Sequence, residues 1–349
     1  MNKSRKITLC ATGDILLHKR LFKKAKRILG GYDFNPQLEQ AKPLFDQGDI
    51  TIVNQESIIA GESIGLSSFP KFNSPIEIGS TLKDYGVDMV NIANNHVLDR
   101  GEEGLLKSIE NLDELGLSYV GAYKSVSDQD DLRVINKNGL RVCFLSYTRG
   151  TNNIKVPDDK SFMVDKFVPA KLKKIKDKVK SIRNNDIADV IVVSLHFGKE
   201  YHLNPSAEQK EVSADLSDAG ADIILGHHPH VLQPFEYILN SRGKRTFAAY
   251  SLGNFFTGQE GLYRQIGGFL SIDVEKPSKN STMLKIDKPK LKLTFVDSTD
   301  NRDFKLSLFE DIVNNRQVIK TDMGEFNSHE VYEELKTRLS QWVPDMDIS

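Results

Sequence analysis

The sequence of 349 residues has only 2 cysteines, no long apolar run and almost no net charge. Two cysteines exclude a disulfide framework and an all-cysteine metal site. Cys10 and Cys143 both lie in apolar segments, which is typical of small buried thiols. The formal net charge of −1 gives no electrostatic support for binding nucleic acid or an anionic membrane through the net field. With 39% hydrophobic and 27% charged residues, the composition is that of an ordinary globular protein.

No export signal or membrane span is recognisable in the sequence. The basic residues 2–6 precede an apolar stretch at 7–12. This stretch is too short for the apolar region of a signal peptide, which has about 7–15 residues. Nowhere do about 20 apolar residues follow one another, as a membrane helix requires. We therefore expect a soluble, cytoplasmic chain without a membrane span, although a fragment that lacks its anchor would have the same sequence.

Short apolar runs alternate with helical patterns in the first half of the sequence. Residues 7–12, 50–53 and 88–93 are predicted to be buried strands. Residues 101–115 have the i, i+4 apolar spacing of an amphipathic helix. Such alternation is typical of a largely parallel sheet with crossover helices, so we predict an α/β protein.

A hairpin and one especially apolar strand are predicted in the second half. Asn138-Gly139 stands between two apolar runs, and this dipeptide is a strong signal for a two-residue hairpin turn. Residues 189–195 (DVIVVSL) are typical of a strand that is buried on both faces. Residues 276–290 are rich in lysine, serine and proline, and we predict a loop there.

Five of the predicted strands are followed by side chains that bind metal ions well. Open α/β sheets bind ligands at the carboxyl ends of their strands, so we expect these side chains to meet in one crevice. Imidazole and carboxylate ligands together suit zinc, iron or manganese. Two divalent ions bridged by a carboxylate lie about 3.5–4 Å apart. The candidate ligands are Asp14, Glu56, Asn95, His196, His228 and His230, with His18 as an outside candidate.

Each candidate taken singly has a structural alternative. Asp14 could cap a helix, Glu56 could be a solvated loop residue, and Asn95 could belong to a turn. His196 could be a hydrogen-bonded core histidine. Three histidines within 227–230, beside a glycine and at a strand end, are harder to explain by packing. Taken jointly, the strand-end residues favour a metal centre.

Six short motifs follow one another between about residues 7 and 256. They are GD at 13–14, NQE at 54–56, NNHVLDRG at 94–101, HFGKEY at 196–201, GHHPH at 226–230 and SLGNF at 251–255. This series resembles the calcineurin-like metallophosphoesterases. Within that superfamily it is most similar to the bacterial capsule-synthesis branch, the CapA or poly-γ-glutamate capsule biosynthesis proteins.

The resemblance implies a fold and a set of metal ligands. The implied fold is a four-layer α/β/β/α sandwich, metallophosphoesterase-like, over residues 1–275. Residues 276–349 carry none of the motifs, and we expect a C-terminal extension packed on the same domain. The implied centre holds two divalent metal ions (Mn, Zn or Fe). Its implied ligands are Asp14 and His230 for the first ion, Glu56 as the bridge, and Asn95, His196 and His228 for the second.

The resemblance also implies a catalytic pair and a substrate side. His96 is similar to the superfamily's general acid, which protonates the leaving oxygen while water activated by the two metals attacks phosphorus. Asp99, three residues on, is expected to orient His96. The expected substrate-binding residues are His227, Glu200, Tyr201 and Asn254.

The sequence departs from the usual metallophosphoesterase pattern at three positions. Leu16 stands where the first motif usually has a histidine, and His18 is the candidate replacement. Glu56 replaces an aspartate, and Val97 replaces the acidic residue that usually follows asparagine and histidine. These departures place the first metal site, and with it catalysis, in question more than metal binding itself.

Three functions are consistent with these features. The leading hypothesis is a metal-dependent, phosphoesterase-like hydrolase related to capsule synthesis. The second keeps the metal centre but directs it at an amide bond of poly-γ-glutamate, and the third is a non-catalytic factor in polymer assembly or export.

The expected partners are a phosphoester or anionic polymer substrate and other capsule-synthesis proteins, without nucleic acid. Family members are often membrane-anchored and extracellular. The lysines at 171–180 are predicted to be a solvated helix face.

Overall fold

The structure, a computed structural model, describes residues 4–168, 171–278, 281, 283–299, 303–315 and 318–349. Within them the strands are β1 (Arg5–Leu16), β2 (Ile50–Gln55), β3 (Met89–Asn91), β4 (Ser118–Val120), β5 (Arg133–Lys137), β6 (Leu140–Thr148), β7 (Val190–His196), β8 (Ile223–His227), β9 (Leu232–Leu239), β10 (Arg245–Leu252), β11 (Asn254–Thr257), β12 (Ile266–Lys276), β13 (Lys285–Val296), β14 (Leu306–Leu308), β15 (Val318–Thr321), β16 (Gly324–Asn327) and β17 (Asp347–Ile348). The α-helices are α1 (Lys19–Ala25), α2 (Asn35–Leu38), α3 (Lys42–Phe45), α4 (Glu77–Asp84), α5 (Gly101–Glu114), α6 (Val126–Asp130), α7 (Leu172–Asn184), α8 (Ala207–Ala219), α9 (Phe309–Asn315) and α10 (Ser328–Leu339).

Most of the strands form two sheets. The first has the order β14-β13-β12-β1-β2-β3-β4, with β11 also paired to β1 and β17 to β13. The second has the order β5-β6-β7-β8-β10-β9. β1 to β4 run parallel, as do β6, β7, β8 and β10. Antiparallel strands complete the sheets: β12, β13 and β14 in the first, and β5 and β9 at the edges of the second. The predicted α/β class is confirmed.

A buried apolar core lies between the two sheets. Leu9 and Ile52 of the first sheet and Val192 and Phe247 of the second belong to it, each no more than 3% exposed. Successive residues of a strand face opposite sides of its sheet. Cys10, next to Leu9, therefore belongs to a different core on the outer face of the first sheet.

Helices cover the outer face of each sheet. Leu105 and Ile109, one turn apart on α5, pack into the same core as Val53 of β2. On the second sheet, Ile175 of α7 and Val212 of α8 are buried in the outer core. The order of layers is helix, sheet, sheet, helix, so the predicted four-layer α/β/β/α sandwich is confirmed.

The hairpin predicted at Asn138-Gly139 is also confirmed. β5 and β6 pair antiparallel with Lys137 opposite Leu140, so two residues make the turn. Both have positive φ, 49° at Asn138 and 77° at Gly139. A type I′ turn requires this conformation, which asparagine and glycine adopt at the lowest cost.

The prediction of a loop over 276–290 is wrong at its C-terminal end. β13 begins at Lys285, and from Pro289 to Leu293 buried residues alternate with exposed or partly exposed ones. Lysine and proline both have low strand propensity. The lysines face outward, and the buried Pro289 interrupts the apolar pattern, so the composition concealed an alternating strand.

Residues beyond 276 add to the first sheet and to the core between the sheets. β13 pairs with β12 over most of its length. Phe309 of α9 and Leu335 of α10 are buried in the core between the sheets. The boundary between 275 and 276 falls at the end of β12, and the division into a domain and an extension stays a prediction.

Candidate metal centre

The carboxyl ends of β1 and β2 in the first sheet meet those of β7 and β8 in the second. Asp14 lies near the end of β1, and His196 is the last residue of β7. Ligand atoms of Asp14, Glu56 and His196 lie within 4.8 Å of one another, and so do those of Glu56, His228 and His230. Candidate ligands from five positions in the sequence are thus brought together at one edge of the sandwich.

Two glycines let the strands approach closely at this edge. A Cβ atom on Gly13 would lie 2.2 Å from the backbone oxygen of Gly253. A Cβ atom on Gly226 would lie 2.0 Å from the backbone oxygen of Tyr250. Any side chain at either position would push neighbouring backbone away. The glycines of the GD and GHHPH motifs therefore place the ligand-bearing residues that follow them.

Asp14 is held as an anion by three neighbouring side chains. Asn54 donates a hydrogen bond from Nδ2 to Oδ1 at 2.7 Å, and Nδ1 of His227 lies 3.1 Å from the same oxygen. Nδ1 of His230 lies 3.1 Å from Oδ2. Burial by itself raises the pKa of Asp14, but the hydrogen bonds with the two histidines hold it well below its usual value.

Glu56 belongs to both groups of ligand atoms and has no hydrogen-bond partner. Its side chain is fully buried, and neither carboxylate oxygen accepts a hydrogen bond from the described residues. Nε2 of His196 and Nε2 of His230 lie 3.4 and 3.6 Å from Oε1. Burial raises the pKa of Glu56 to about 7. A buried carboxylate without a partner is costly, so this position calls for positive charge.

His196 and His228 are neutral imidazoles with unused nitrogens. Burial lowers the pKa of His196 well below its usual value and that of His228 to about 3. Nδ1 of each ring is buried without a hydrogen-bond partner among the described residues. The two ring centroids lie 4.9 Å apart. Neutral imidazole is the form that binds metal ions.

His230 is oriented from two sides. Its Nδ1 lies 3.0 Å from Oδ1 of Asn254 and 3.1 Å from Oδ2 of Asp14. Burial lowers the pKa of His230, but the negative charges of Glu56 and Asp14 outweigh this and raise it to about 9. The backbone is strained here, with φ of 96° at His228 and 57° at His230. Non-glycine residues with positive φ are concentrated at functional sites.

The donor set fits divalent metal ions. Glu56 offers two buried oxygens, and His196 and His228 each offer a buried nitrogen, none of which has a hydrogen-bond partner in the described part of the chain. A cation is the partner that satisfies a carboxylate and neutral imidazoles together. The choice among manganese, zinc and iron stays a prediction.

The two groups of ligand atoms are compatible with more than one division between two ions. Glu56 is common to both groups, as expected for a bridge. The atoms of His196 lie with those of Asp14 and those of His228 with those of His230, but His230 also lies 3.1 Å from Asp14, and the rings of His196 and His228 are 4.9 Å apart. The implied division had paired Asp14 with His230 and His196 with His228. The assignment of each ligand to an ion stays a prediction.

His96 and Asp99 form a buried pair beside this cluster. Nδ1 of His96 lies 2.6 Å from Oδ2 of Asp99, which also accepts a hydrogen bond from the backbone N–H of Phe72 at 2.6 Å. The Phe72 ring packs edge-on against the imidazole, with 4.7 Å between centroids. Because Asp99 engages Nδ1, Nε2 is the nitrogen left for proton exchange.

Asn152 is a site residue that the sequence reasoning missed. Its Oδ1 accepts a hydrogen bond from Nδ2 of Asn95 at 3.2 Å, and its Nδ2 lies 3.3 Å from Nδ1 of His96. The other end of Asn95 is near the ligand cluster, with Oδ1 2.8 Å from Nε2 of His196. The only sequence signal was Asn152-Asn153, two residues suited to positive φ within a polar loop.

The residues predicted to bind substrate lie in different surroundings. His227 and Asn254 are buried against Asp14 and His230 respectively. Glu200 is exposed, whereas the ring of Tyr201, which is 45% exposed, lies 6.2 Å from that of His230. Their role in substrate binding stays a prediction.

His18, the candidate replacement for the missing histidine, lies outside both groups of ligand atoms. Its Nδ1 accepts a hydrogen bond from the backbone N–H of Gly258 at 3.3 Å, and its ring packs against Phe72. Burial lowers the pKa of His18 to about 4. The structure thus gives His18 a hydrogen-bonded place next to the site.

A groove of about 610 Å³ opens over the cluster, and we call it the metal-side groove. Asn95, His196 and His228 line one part of it. Arg149 and Lys166 line another part, so the groove joins the candidate ligands to basic side chains.

Among the described residues no helix combines the length and apolar character needed to cross a membrane.

The fold and the site together define a four-layer α/β protein with a candidate two-metal centre where its two sheets meet. A profile of the family described as "Bacterial capsule synthesis protein PGA_cap" matches residues 8–259. The chain belongs to this family, which is related to poly-γ-glutamate capsule synthesis.

Two curated relatives named CapA agree with this assignment. The chain is 31% identical over 267 residues to "Capsule biosynthesis protein CapA" of Bacillus anthracis, covering 74% of this chain and 61% of that protein. It is 35% identical over 183 residues to "PGA biosynthesis protein CapA" of Bacillus subtilis (strain 168), covering 51% and 44% respectively. The crystal structure of TT1561 of Thermus thermophilus is 9% identical, with a TM-score of 0.40 over 80% of this chain and 98% of that one. The chain thus spans less than two thirds of the length of either CapA protein.

Proposed function

We propose that this chain is a metal-dependent hydrolase of the phosphoesterase type that serves capsule polymer synthesis. The observation that carries the proposal is Glu56, which is common to both groups of ligand atoms and is buried without a hydrogen-bond partner. Divalent cations, when bound, supply Lewis acidity that activates water and neutralises charge developing on the substrate. The residues that would hold them are Asp14, Glu56, Asn95, His196, His228 and His230.

His96 is the proton donor in this proposal. Asp99 fixes Nδ1 of the ring, so Nε2 donates its proton to the oxygen of the leaving group. The carboxylate of Asp99 stabilises the imidazolium that precedes this transfer. The edge-on contact with Phe72 restricts rotation of the ring. These contacts supply the orientation that general acid catalysis needs.

The basic side chains of the metal-side groove favour an anionic polymer as the natural substrate. Arg149 and Lys166 line the groove together with His196 and His228. The same centre could therefore act on an amide bond of poly-γ-glutamate, or bind the polymer for assembly or export without cleaving it. Other capsule-synthesis proteins are proposed partners.

The test is metal analysis of the purified chain together with turnover of an aryl phosphate monoester, an aryl phosphate diester and poly-γ-glutamate. We expect about two equivalents of metal after loading with Mn²⁺ or Zn²⁺, turnover of a phosphoester, and loss of that turnover in His96→Ala without loss of metal. Less than one equivalent of metal would contradict both phosphoester hydrolysis and amide hydrolysis as the function of this chain. Release of glutamate oligomers without phosphoester turnover would favour the amide reaction. Metal binding with polymer binding but no turnover would favour the assembly role.

A further inference from the structure

A second cavity adjoins the metal-side groove. It has a volume of about 440 Å³, and Lys166 lines both this cavity and the metal-side groove. We call it the lysine cavity. The residues that define it are Tyr147, Asp165, Lys166, Lys171, Lys174 and Lys178.

The register of the second sheet gives the distance from the metal centre to this cavity. His196 at the end of β7 pairs with Thr148 at the end of β6. Thr148 in turn forms a bridge with Lys166 on its other side. Neighbouring strands lie about 4.8 Å apart, so the backbone of Lys166 is about 10 Å from that of His196. The lysine cavity extends from there toward the first turns of α7.

The charges around the lysine cavity are unbalanced. None of the four lysines forms an ion pair within the described ranges, and Lys166 donates only to the hydroxyl of Thr151 at 3.3 Å. Burial and the positive charges of Lys171 and Arg149 lower the pKa of Lys166. The facing carboxylate of Asp165 is already engaged by other side chains. Four lysines therefore share one cavity with two carboxylates, those of Asp130 and Asp165, which leaves an excess of positive charge.

The acidic groups of the cavity offset only part of this positive charge, and its phenol is neutral. Asp165 accepts hydrogen bonds from Gln129 at 2.7 Å and from the hydroxyl of Tyr123 at 3.2 Å. Asp130 is the other acidic residue that lines the cavity. Tyr147 also lines it, and its hydroxyl is buried without a hydrogen-bond partner in the described part of the chain. The cavity thus offers spare hydrogen-bond donors as well as net positive charge.

We propose that the lysine cavity is a binding subsite for the anionic groups of a chain-like substrate whose reacting bond lies at the metal centre. The proposal rests on the proposed function for the place of the reaction. A separation of about 10 Å corresponds to roughly three residues of an extended α-linked chain, at about 3.4 Å each, and to fewer γ-linked residues, because each of those adds two backbone bonds. A small phosphomonoester does not reach from His196 to the lysines of α7, whereas an extended polyanion does. The substrate class is therefore a polyanion with negative charges spaced along its length.

Helix α7 provides a matched control for testing the lysines. Lys174 and Lys178, one turn apart, line the cavity. Lys173, with a side chain that is 88% exposed, pairs with Asp177 on another face, and Lys180 is also exposed. Replacing two lysines by glutamate on either face changes the net charge of the protein by the same amount.

The experiment measures the affinity of the full chain for fluorescently labelled poly-γ-glutamate and, separately, for inorganic polyphosphate by anisotropy at fixed salt. We expect Lys174→Glu/Lys178→Glu to weaken binding of at least one chain about tenfold. Lys173→Glu/Lys180→Glu should stay within about twofold. Metal content and turnover of a small aryl phosphate should be unchanged in both double variants.

Equal weakening by both double variants, or no weakening by the cavity variant, would overturn the proposal. Lys174→Gln/Lys178→Gln serves as a second variant if the glutamate pair unfolds the protein, and the same selective loss is expected. If the unmodified chain shows no turnover, but polymer binding is weakened only in the cavity variant, the proposed hydrolysis would be refuted. The proposed subsite would still be supported.

Discussion

Nδ1 of His96 lies 2.6 Å from Oδ2 of Asp99, and the two side chains are only 8% and 1% exposed. A contact this short between an imidazole and a carboxylate fixes both the ring orientation and the tautomer that carries its proton on Nδ1. Asparagine at 99 could instead donate a proton to Nδ1 and favour the other tautomer. Asp99 is therefore a positioning residue for His96.

We predict that Asp99→Asn lowers kcat about 100-fold on a phosphoester with a poor leaving group. The loss should be much smaller on a p-nitrophenyl ester, because a good leaving group needs little protonation. Rates on a series of substituted phenyl esters measure this dependence. A plot of the logarithm of the rate against the pKa of the leaving group should have the same slope for His96→Ala as for Asp99→Asn. A uniform loss across the series would show that Asp99 acts only on the folding of the site.

Glu56→Gln should change stability in opposite directions with and without metal. In the protein treated with chelator, the substitution removes a buried carboxylate whose raised pKa shows that the cost of burial outweighs its attraction to the nearby histidines, and it is expected to raise the free energy of unfolding by about 1–2 kcal/mol. In the metal-loaded protein it removes the shared ligand, so the rise in Tm on adding metal should disappear. Thermal unfolding under both conditions provides the measurement. Destabilisation of similar size in both would contradict a shared metal ligand.

Asn152→Gly should lower kcat about tenfold without changing the fold. The variant removes the contacts with Asn95 and His96, whereas glycine tolerates the φ of 46° found at this position. Asn153→Gly is the matched control, because Asn153 also has positive φ, 60°, and lines the same groove, but among the described residues it makes no side-chain contact with Asn95 or His96. Phosphoester kinetics and metal analysis of both variants separate the two positions. Equal kinetics for the two variants would contradict a role of Asn152 in the site.

Asp189→Asn should destabilise the protein in a pH-dependent manner. Burial raises the pKa of Asp189, but hydrogen bonds from Arg141 and Lys276 outweigh it and hold the pKa far below its usual value. Because the folded pKa is depressed, the stabilisation is fully present above the unfolded value of about 3.9 and is lost as pH falls through the folded pKa. We expect a loss of about 2–3 kcal/mol at pH 7.

Urea unfolding of Asp189→Asn and of the unmodified chain at pH 7 and at lower pH values checks this expectation. The difference between them should shrink as the pH falls below about 4. Asp113→Asn is the control, because Asp113 pairs with Lys124 at the surface, where the two side chains are 44% and 52% exposed. It should change stability little at any pH. A difference that stays constant with pH for Asp189→Asn would contradict a depressed pKa of Asp189 in the folded protein.

Local patterns were sufficient to predict the α/β class and the candidate ligands at strand ends, whereas the four layers were predicted from the family resemblance. Asp14 and His228 follow continuous apolar runs in the sequence, so their position at the carboxyl edge could be inferred without knowing the pairing. β9 was not predicted, because Pro234 lies inside its pattern, which is tolerated at the edge of the second sheet. Asn152 could not be predicted, since its contacts depend on how a polar loop folds over two distant segments.

Both sheets contribute to the candidate centre: Asp14 and Glu56 come with the first, whereas His196 and His230 come with the second. An ion held by these residues is a cross-link between the sheets, in a chain whose 2 cysteines are both free. Separation of the sheets then requires the ion to lose its ligands on one side. The rate of unfolding should accordingly be lower in the metal-loaded protein than in the protein treated with chelator.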